Sequence, residues 1–312
     1  DNILLPSGYT LGIDSVAFAS AVAPLTEQIR LLLAVRMGEM WLPQLARQLA
    51  TIDQMSGGRL TINIISSDLP GEKLESSPRY RRTLEWMTVL RQLLNREHVS
   101  IDGEFVKLDI DPPRAATVSG RCPPFYFGGF SEAAKETAAA ACDVFLTWPD
   151  KVEAVASTIE DMKARAERHG RQIRYGLRTH VIVRSTEAEA KAAAQKLISR
   201  LDDGTGEAIR KKSLDSASVG VSRQAALRED ADDDGFAEPN LWTGIGRARS
   251  GAGAAIVGDP DQVVAKLQAY RAVGIDAFIL SGYPHLAECD LVAQHVLPNI
   301  EHGPLYGVPV GT

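Results

Sequence analysis

The chain alternates short apolar runs with amphipathic stretches along most of its length. Seven apolar runs bounded by turn residues predict strands, at 2–6, 30–36, 60–66, 124–128, 143–147, 175–183 and 275–281. The stretches between them have helical periodicity, which predicts helices at 13–23, 41–55, 79–95, 131–141, 150–169 and 259–273. Such an alternation of strands and helices favours a parallel sheet with helices outside it, as in α/β barrels and doubly wound folds.

Two segments interrupt this alternation. Asp102-Gly103 between alternating runs predicts a β-hairpin over 98–108. A long insertion at about 186–255, before the last strand, contains predicted helices at 186–201 and 216–229, an acidic run and a Gly-rich stretch. The acidic run predicts a solvated surface, whereas a long Gly-containing loop in an enzyme is often a lid.

The strand count is one short of the commonest barrel, which has eight strands. The chain begins at Asp1 with a strand already under way. We therefore expect a (β/α)8 TIM barrel formed as one domain over residues 1–312, with its first strand and helix absent from this sequence. A Gly- and Pro-containing tail is expected at 301–312.

Composition and charge restrict the possible functions. The apolar share of 45% and the charged share of 24% are typical of a globular protein with a substantial core. A net charge of −6 without a basic stripe disfavours nucleic-acid binding. No run approaches about 18 apolar residues, so we expect no membrane span. These features predict a cytoplasmic protein.

The three cysteines are Cys122, Cys142 and Cys289, and none stands in a Cys-x-x-Cys pair. This spacing indicates a reducing compartment and argues against structural zinc. We expect all three to be small buried side chains and expect no metal site.

Arg178 and His180 lie two residues apart on one predicted strand and so point to the same face. A buried arginine must meet a carboxylate, the backbone or an anionic ligand. Two interpretations remain open at this stage, a core salt bridge with a satisfied histidine or an anion site.

The segment 244–253 contains Arg247 and Arg249 among four glycines. Its glycine content predicts an irregular flexible loop. An arginine on such a loop could close over an anion, and a merely exposed loop is the alternative.

Gly129, Phe130 and Ser131 join a predicted strand to a predicted helix. Glycine there lets backbone N–H groups approach a ligand, and a helix N-terminus favours a phosphate. Ser131 could bind that phosphate or only cap the helix. Trp148, at the end of the next strand, could wall a planar cofactor or be a packing residue.

Tyr283 and His285 follow the last predicted strand, with Pro284 between them. Active sites of α/β barrels lie at the carboxyl ends of the strands. We therefore expect Arg178, His180, Arg249, Tyr283 and His285 to surround one barrel mouth as catalytic residues.

Several of these segments together resemble the FMNH2-dependent alkanesulfonate monooxygenases of the bacterial luciferase-like superfamily. They are Ser281-Gly-Tyr-Pro-His-Leu286, Arg178-Thr-His-Val-Ile-Val-Arg184, Pro239-Asn-Leu-Trp-Thr-Gly-Ile-Gly246, Ser250-Gly-Ala-Gly253 and Pro124-Phe-Tyr-Phe-Gly-Gly129. The resemblance runs in consistent order from about residue 2 to residue 300. The shorter Ser56-Gly-Gly-Arg59 is shared more widely in the superfamily.

The resemblance implies a barrel with an insertion before the eighth strand and cleavage of a carbon–sulfur bond by dioxygen, giving an aldehyde and sulfite. It implies reduced FMN supplied by a separate NAD(P)H:FMN reductase, and we expect a homo-oligomer, a dimer or tetramer. It assigns the sulfonate and flavin–oxygen chemistry to Arg178, His180, Arg249 and Tyr283. It places Trp148 near the isoalloxazine, and Ser77, Tyr80, Gly129, Phe130 and Ser131 in the flavin-binding region.

The chain also departs from the alkanesulfonate enzymes. A cysteine of theirs is replaced within Tyr9-Thr-Leu-Gly12, Met40 and Trp41 stand where small residues are usual, and the 66–80 loop is shorter. These changes favour a bulkier or more polar sulfonate, such as the sulfosugar sulfoquinovose. The alternatives are a luciferase-like sulfone monooxygenase or deazaflavin-dependent dehydrogenase, and a non-catalytic binding barrel.

Overall fold

The computed structural model of the protein describes residues 2–9, 11–211, 218–249 and 251–306. The strands are β1 (Asn2–Leu5), β2 (Arg30–Arg36), β3 (Leu60–Ile65), β4 (Val99–Asp102), β5 (Lys107–Ile110), β6 (Phe125–Gly128), β7 (Val144–Thr147), β8 (Arg174–Val183), β9 (Phe236–Glu238), β10 (Leu241–Trp242), β11 (Ala255–Gly258) and β12 (Ala277–Ser281). The α-helices are α1 (Ser15–Val22), α2 (Leu42–Met55), α3 (Ser76–Leu94), α4 (Glu132–Ala141), α5 (Val152–Arg168), α6 (Glu187–Ile198), α7 (Asp203–Lys211), α8 (Val219–Glu229), α9 (Pro260–Ala272) and α10 (His285–His295).

The parallel sheet predicted from the strand and helix pattern is confirmed. Its strands run in the order β1, β2, β3, β6, β7, β8, β11, β10 and β9. All pairs as far as β11 are parallel, β10 and β9 extend the sheet antiparallel, and β12 pairs in parallel with β8. All seven predicted strands and all six predicted barrel helices are present, with bounds shifted by a few residues at most. The predicted hairpin is the antiparallel pair β4 and β5.

A cluster inside the curved sheet shows how the strands wrap around one axis. Leu4 of β1, Leu32 of β2, Tyr126 of β6 and Ile279 of β12 share this cluster with residues of β7. Strands from both ends of the ladder therefore face the same interior, which is the arrangement of a barrel. Among the described strands, β1 is bonded only to β2 and β12 only to β8. The absent first strand stays a prediction.

The insertion contains more regular structure than its glycine content indicated. The helices predicted at 186–201 and 216–229 are α6 and α8, although residues 216 and 217 lie outside the described part. The sequence did not predict α7, β9, β10, β11 or α10. The expectation that 244–253 is wholly irregular is wrong, because Gly244–Arg247 forms a 3-10 helix with three buried residues. Tertiary contacts outweigh glycine's weak local preference there.

The contacts of Arg59 show that the Ser56-Gly-Gly-Arg59 segment has a structural role. Its guanidinium donates hydrogen bonds to the backbone carbonyls of Ala23, Thr26 and Ile29 and to the Thr26 hydroxyl. Gly57 has a φ of 65°, which glycine adopts without steric cost. The motif therefore fixes the connection that leads into β2, far from the carboxyl ends of the strands.

The expectation that all three cysteines are buried is wrong for one of them. Cys142 is buried and Cys122 half-buried, whereas Cys289 is exposed on α10. Of the tail predicted at 301–312, residues 301–306 are described and form no helix or strand, and residues 307–312 lie outside the described part. Leu305 and Tyr306 pack against the interior cluster.

No helix within the described ranges is long and apolar enough to cross a membrane. Across the same residues, no three His, Cys, Asp or Glu side chains are grouped so that they could hold a metal ion.

Candidate active site

Alternation along β8 directs Arg178 and His180 toward the barrel interior. Leu177, Val181 and Val183 pack in the cluster between the sheet and the outer helices. Arg178 and His180, at the intervening positions, face the opposite side. Strand β12 pairs Ile279 with Arg178 and Ser281 with His180, and Ile279 belongs to the interior cluster. The prediction that both side chains share one interior face is confirmed.

The two arginines of this site have no acidic partner among the described residues. The Nε atoms of Arg178 and Arg249 are both buried without a hydrogen-bond partner. Burial, and secondarily the nearby Arg249, lowers the pKa of Arg178 to about 10. Among the described residues, Arg178 therefore does not form the core salt bridge that the sequence left open. Two neighbouring, half-buried cations without an acidic partner favour an anionic ligand.

His180 is held neutral in the same space. It is 1% exposed, and burial, followed by Arg249 and Arg178, lowers its pKa to about 3. Its Nδ1 lies 3.0 Å from the Ser281 hydroxyl, and its Nε2 forms no hydrogen bond of ordinary geometry, although the Ala252 backbone lies near enough to the ring to oppose the fall in pKa. With Ser281 donating to Nδ1, Nε2 carries the hydrogen and can donate to an oxyanion.

Tyr283 connects His180 and His285 to the arginine loop, the segment 244–253 that contains Arg249. Its ring stacks on His180, with centroids 5.3 Å apart and an interplanar angle of 26°, and contacts His285 edge-on at 4.9 Å. Its phenol oxygen accepts a hydrogen bond of 2.6 Å from Nη1 of Arg249. Because that oxygen is already an acceptor, its own hydrogen is free to be donated to a ligand. The exposed His285 is the outermost member of this stack.

An aromatic pair adjoins the arginines. The rings of Phe130 and Trp148 lie 5.6 Å apart at 59°. A Cβ on Gly251 would lie 3.8 Å from the Trp148 ring and 4.0 Å from Nε of Arg249. Trp148 is half-buried. The predicted cofactor wall and the predicted anion site are therefore neighbours.

The predicted phosphate cradle lies at the N-terminus of α4. Ser131 caps this helix by accepting a hydrogen bond from the backbone N–H of Ala134 at 3.2 Å. A Cβ on Gly129 would come within 2.5 Å of the Ala134 Cβ and 3.4 Å of the Tyr80 hydroxyl. Ser77 is exposed on α3, one turn before Tyr80, and accepts a hydrogen bond from Arg81. Ser77 forms no hydrogen bond with Gly129 or Ser131 among the described residues.

Several polar groups near the strand ends were missed by the sequence prediction. Ser281 orients His180, and strand periodicity could have indicated it because Ser281 precedes Tyr283 by two. Asn63 faces the interior beside Tyr126 on the neighbouring strand. Asn63 is 8% exposed. Gln224 of α8, which is 7% exposed, gave no signal in the sequence.

A buried ion pair fixes α10, which begins at His285. Arg184, directly after β8, binds the carboxylate of Glu288 through two hydrogen bonds of 2.6 and 3.1 Å. The Glu288 side chain is only 3% exposed. Replacing Glu288 with leucine should lower the free energy of unfolding by about 3 kcal/mol, because Arg184 is left without its partner. Urea denaturation measures this change.

The matched control is Glu301→Gln, which removes a carboxylate from an exposed pair with Arg271. We expect it to change the free energy of unfolding by less than about 1 kcal/mol. Equal losses in the two variants would contradict the role given to Glu288.

Fold and site together define a class, an α/β barrel protein with a candidate anion site beside an aromatic wall at the carboxyl ends of its strands. The sequence profile of the luciferase-like monooxygenases matches residues 1–277. The chain belongs to this family.

Two relatives and two solved structures illustrate the match. The chain is 62% identical to a sulfoquinovose monooxygenase of Novosphingobium aromaticivorans, over 98% of this chain and 86% of the relative. It is 48% identical to a sulfoquinovose monooxygenase of Agrobacterium fabrum, over 96% and 78%. The EDTA monooxygenase EmoA from Chelativorans sp. BNC1 superimposes with a TM-score of 0.76 at 19% identity, over 95% and 81%. DmoA from Hyphomicrobium sulfonivorans gives 0.73 at 19%, over 96% and 76%. The two structures show the shared fold.

Proposed function

We propose that the chain is an FMNH2-dependent monooxygenase that cleaves the carbon–sulfur bond of a sulfosugar, with sulfoquinovose as the favoured substrate. The carbon next to sulfur becomes an aldehyde and the sulfur leaves as sulfite. A separate NAD(P)H:FMN reductase supplies the reduced flavin. The single observation that supports this most directly is the pair of acid-free arginines around a neutral buried histidine.

The arginine pair suits a sulfonate, which is a permanent anion with three acceptor oxygens. Arg178 and Arg249 would donate charge-assisted hydrogen bonds from their Nε atoms, which have no partner among the described residues. Nε2 of His180 would donate to a third oxygen. A bound sulfonate thus offsets the repulsion and the burial of the two guanidinium groups, which gives the site its selectivity for anions.

The residues of the aromatic wall and cradle fit a flavin. When bound, reduced FMN supplies two electrons and activates dioxygen, so that one oxygen atom enters the substrate and the other leaves as water. Phe130 and Trp148 would bound its ring system. The N-terminus of α4 would receive its phosphate, where Gly129 has no side chain to block the backbone. Tyr283 can donate a proton to an oxygen that develops negative charge beside it.

Two residues support a substrate in which the sulfonate is attached to a sugar rather than to a simple alkane. Trp41 lies in the loop between β2 and α2, at the carboxyl edge of the sheet, and is 55% exposed. Aromatic faces at such an edge can stack on a sugar ring. The amide of Asn63 has both a donor and an acceptor that can pair with a sugar hydroxyl. The two curated relatives bear the name of the same sulfosugar activity.

A sulfite assay tests the proposal. Purified protein, reduced FMN and dioxygen are supplied with sulfoquinovose, a short alkanesulfonate or glucose, and sulfite, aldehyde and oxygen are measured. We expect sulfite and aldehyde in equal amounts from sulfoquinovose, little from the short alkanesulfonate and none from glucose.

Each contrary outcome identifies an alternative. Exclusive turnover of short alkanesulfonates would overturn the sugar assignment. Oxidation without oxygen consumption would point to a luciferase-like dehydrogenase, and absence of sulfite from every sulfonate would overturn the reaction itself. The reductase, the cytoplasmic location and the dimer or tetramer stay predictions.

A further inference from the structure

Gln224 bridges two backbone segments that carry the site. Its side-chain Nε2 donates to the backbone carbonyl of Pro149 at 2.7 Å, and its Oε1 accepts from the backbone N–H of Gly253 at 2.8 Å. The residue is 7% exposed. Both ends of one buried amide are therefore used to join a barrel strand end to the insertion.

One segment follows Trp148, which forms the aromatic wall together with Phe130, and the other belongs to the arginine loop. Pro149 directly follows Trp148, and Gly253 lies four residues after Arg249. A Cβ on Gly246 would come within 3.1 Å of the Gly253 carbonyl oxygen. The two limbs of the loop that flank Arg249 are thus in contact. Fixing Gly253 therefore restrains the place of the Arg249 guanidinium.

Other contacts of α8 hold Gln224 in register with the wall. A Cβ on Gly220 would lie 2.6 Å from the Trp148 ring, so α8 rests directly on that ring. The Arg223 guanidinium lies 4.7 Å from the centroid of Phe130 and pairs with Asp150 at 3.0 Å. Arg228 donates to the carbonyl of Gly246 at 3.1 Å. One helix face therefore contacts both the wall and the loop.

We infer that Gln224 is a positioning residue that holds Arg249 in place against Tyr283 and Trp148. Its effect on turnover rests on the proposed sulfonate chemistry, whereas its effect on the loop does not. Without the amide, the buried Gly253 N–H and Pro149 carbonyl lose their hydrogen-bond partners. Separation of the arginine loop from the end of β7 then costs less free energy, because the two groups can be hydrated when the loop moves away. Arg249 would then reach its bonding position only part of the time.

The loop arm of the test uses limited trypsin digestion. Trypsin cuts after Arg247 and Arg249, and cleavage requires the loop to leave its native contacts. In Gln224→Leu we expect cleavage at these two sites to be about 10-fold faster than in the wild-type protein, because local opening becomes easier. Mass spectrometry identifies the new amino ends at Ala248 and Ser250. The thermal midpoint is measured in parallel to exclude general unfolding.

The matched control is Gln195→Leu. Gln195 lies on another helix of the insertion, α6, and donates one exposed hydrogen bond to the carbonyl of Asp234. We expect it to change cleavage at Arg247 and Arg249 by less than about 2-fold.

The kinetic arm is a double-mutant cycle with Arg249→Met. Gln224→Leu alone should raise the KM for the sulfonate about 10-fold, with a smaller change in kcat. In the Arg249→Met background it should add less than about 2-fold, because the group that it positions is already gone. A role in general stability would act equally in both backgrounds.

Three results would overturn the inference: cleavage in Gln224→Leu at the wild-type rate, equal acceleration in Gln195→Leu, or additive effects in the cycle. If the wild-type protein releases no sulfite from any sulfonate, the proposed function fails. The trypsin comparison then decides the positioning role by itself.

Discussion

Replacing Arg178 with methionine should lower kcat/KM for the sulfonate about 100- to 1000-fold, the loss expected when one charged donor to an oxyanion is removed. The same change should raise the free energy of unfolding. Arg178 is half-buried with no carboxylate partner among the described residues, and its lowered pKa shows that the charged form is disfavoured there. Since solvent reaches part of the side chain, we expect a gain of only about 1 kcal/mol. Sulfite kinetics and urea denaturation measure the two effects.

Arg174→Gln is the control for this variant. Arg174 is at the other end of β8 and forms an ion pair with Asp276 at 3.0 Å. It should leave kcat/KM within about 2-fold of the wild-type value, since its charge is paired outside the site. A destabilised Arg178→Met protein, or one with unchanged kinetics, would contradict an uncompensated anion-binding role for Arg178.

Replacing His180 with asparagine should remove part of the protein's sensitivity to acid. The folded-state pKa of His180 is about 3, against an ordinary value of 6.5. Between these values the unfolded chain takes up a proton that the folded protein does not, so stability falls as the pH drops from 6.5 toward 3. At about pH 4.5 this proton uptake by His180 lowers the free energy of unfolding by roughly 2.5 kcal/mol. The difference in free energy of unfolding between about pH 7 and pH 4.5 should therefore shrink by that amount in the variant.

The surface residue His169 provides the comparison, because it is exposed and bonded to Glu136. His169→Asn should not reproduce the reduced acid sensitivity. Parallel pH dependence in His180→Asn and the wild-type protein would mean that His180 is not held neutral. The same variant should also turn over the sulfonate more slowly, since the buried donor Nε2 is lost.

Much of the barrel could be predicted because its strands and helices follow from patterns of residues that are neighbours in the sequence. Apolar runs predicted seven of the ten strands described in the sheet, and the two-residue spacing of Arg178 and His180 predicted their common interior face. The long insertion was harder. Its glycines predicted an irregular loop, yet Gly244–Arg247 is helical and β11 follows it. Those residues are ordered by contacts with distant segments, which no local pattern contains.

Most of the candidate site was foreseen one residue at a time, but its electrostatics were not. The sequence left Arg178 either in a salt bridge or in an anion site, since it cannot show which carboxylates lie nearby. The structure decided this, because within its described residues no acid reaches Arg178 or Arg249. The contact of Ser281 with His180 joins residues 101 positions apart, and the contact of Gln224 with Pro149 joins residues 75 apart.

The sequence by itself determined the order of the seven predicted strands and the helices between them, the inward direction of Arg178 and His180, and the resemblance to luciferase-like monooxygenases. These properties follow from periodicity and from motifs that are continuous in the chain. Only the tertiary structure decided which charges lack a partner, why His180 stays neutral and how α8 holds the arginine loop. Charge compensation and desolvation depend on distances between segments far apart in the chain, and the fold alone sets those distances.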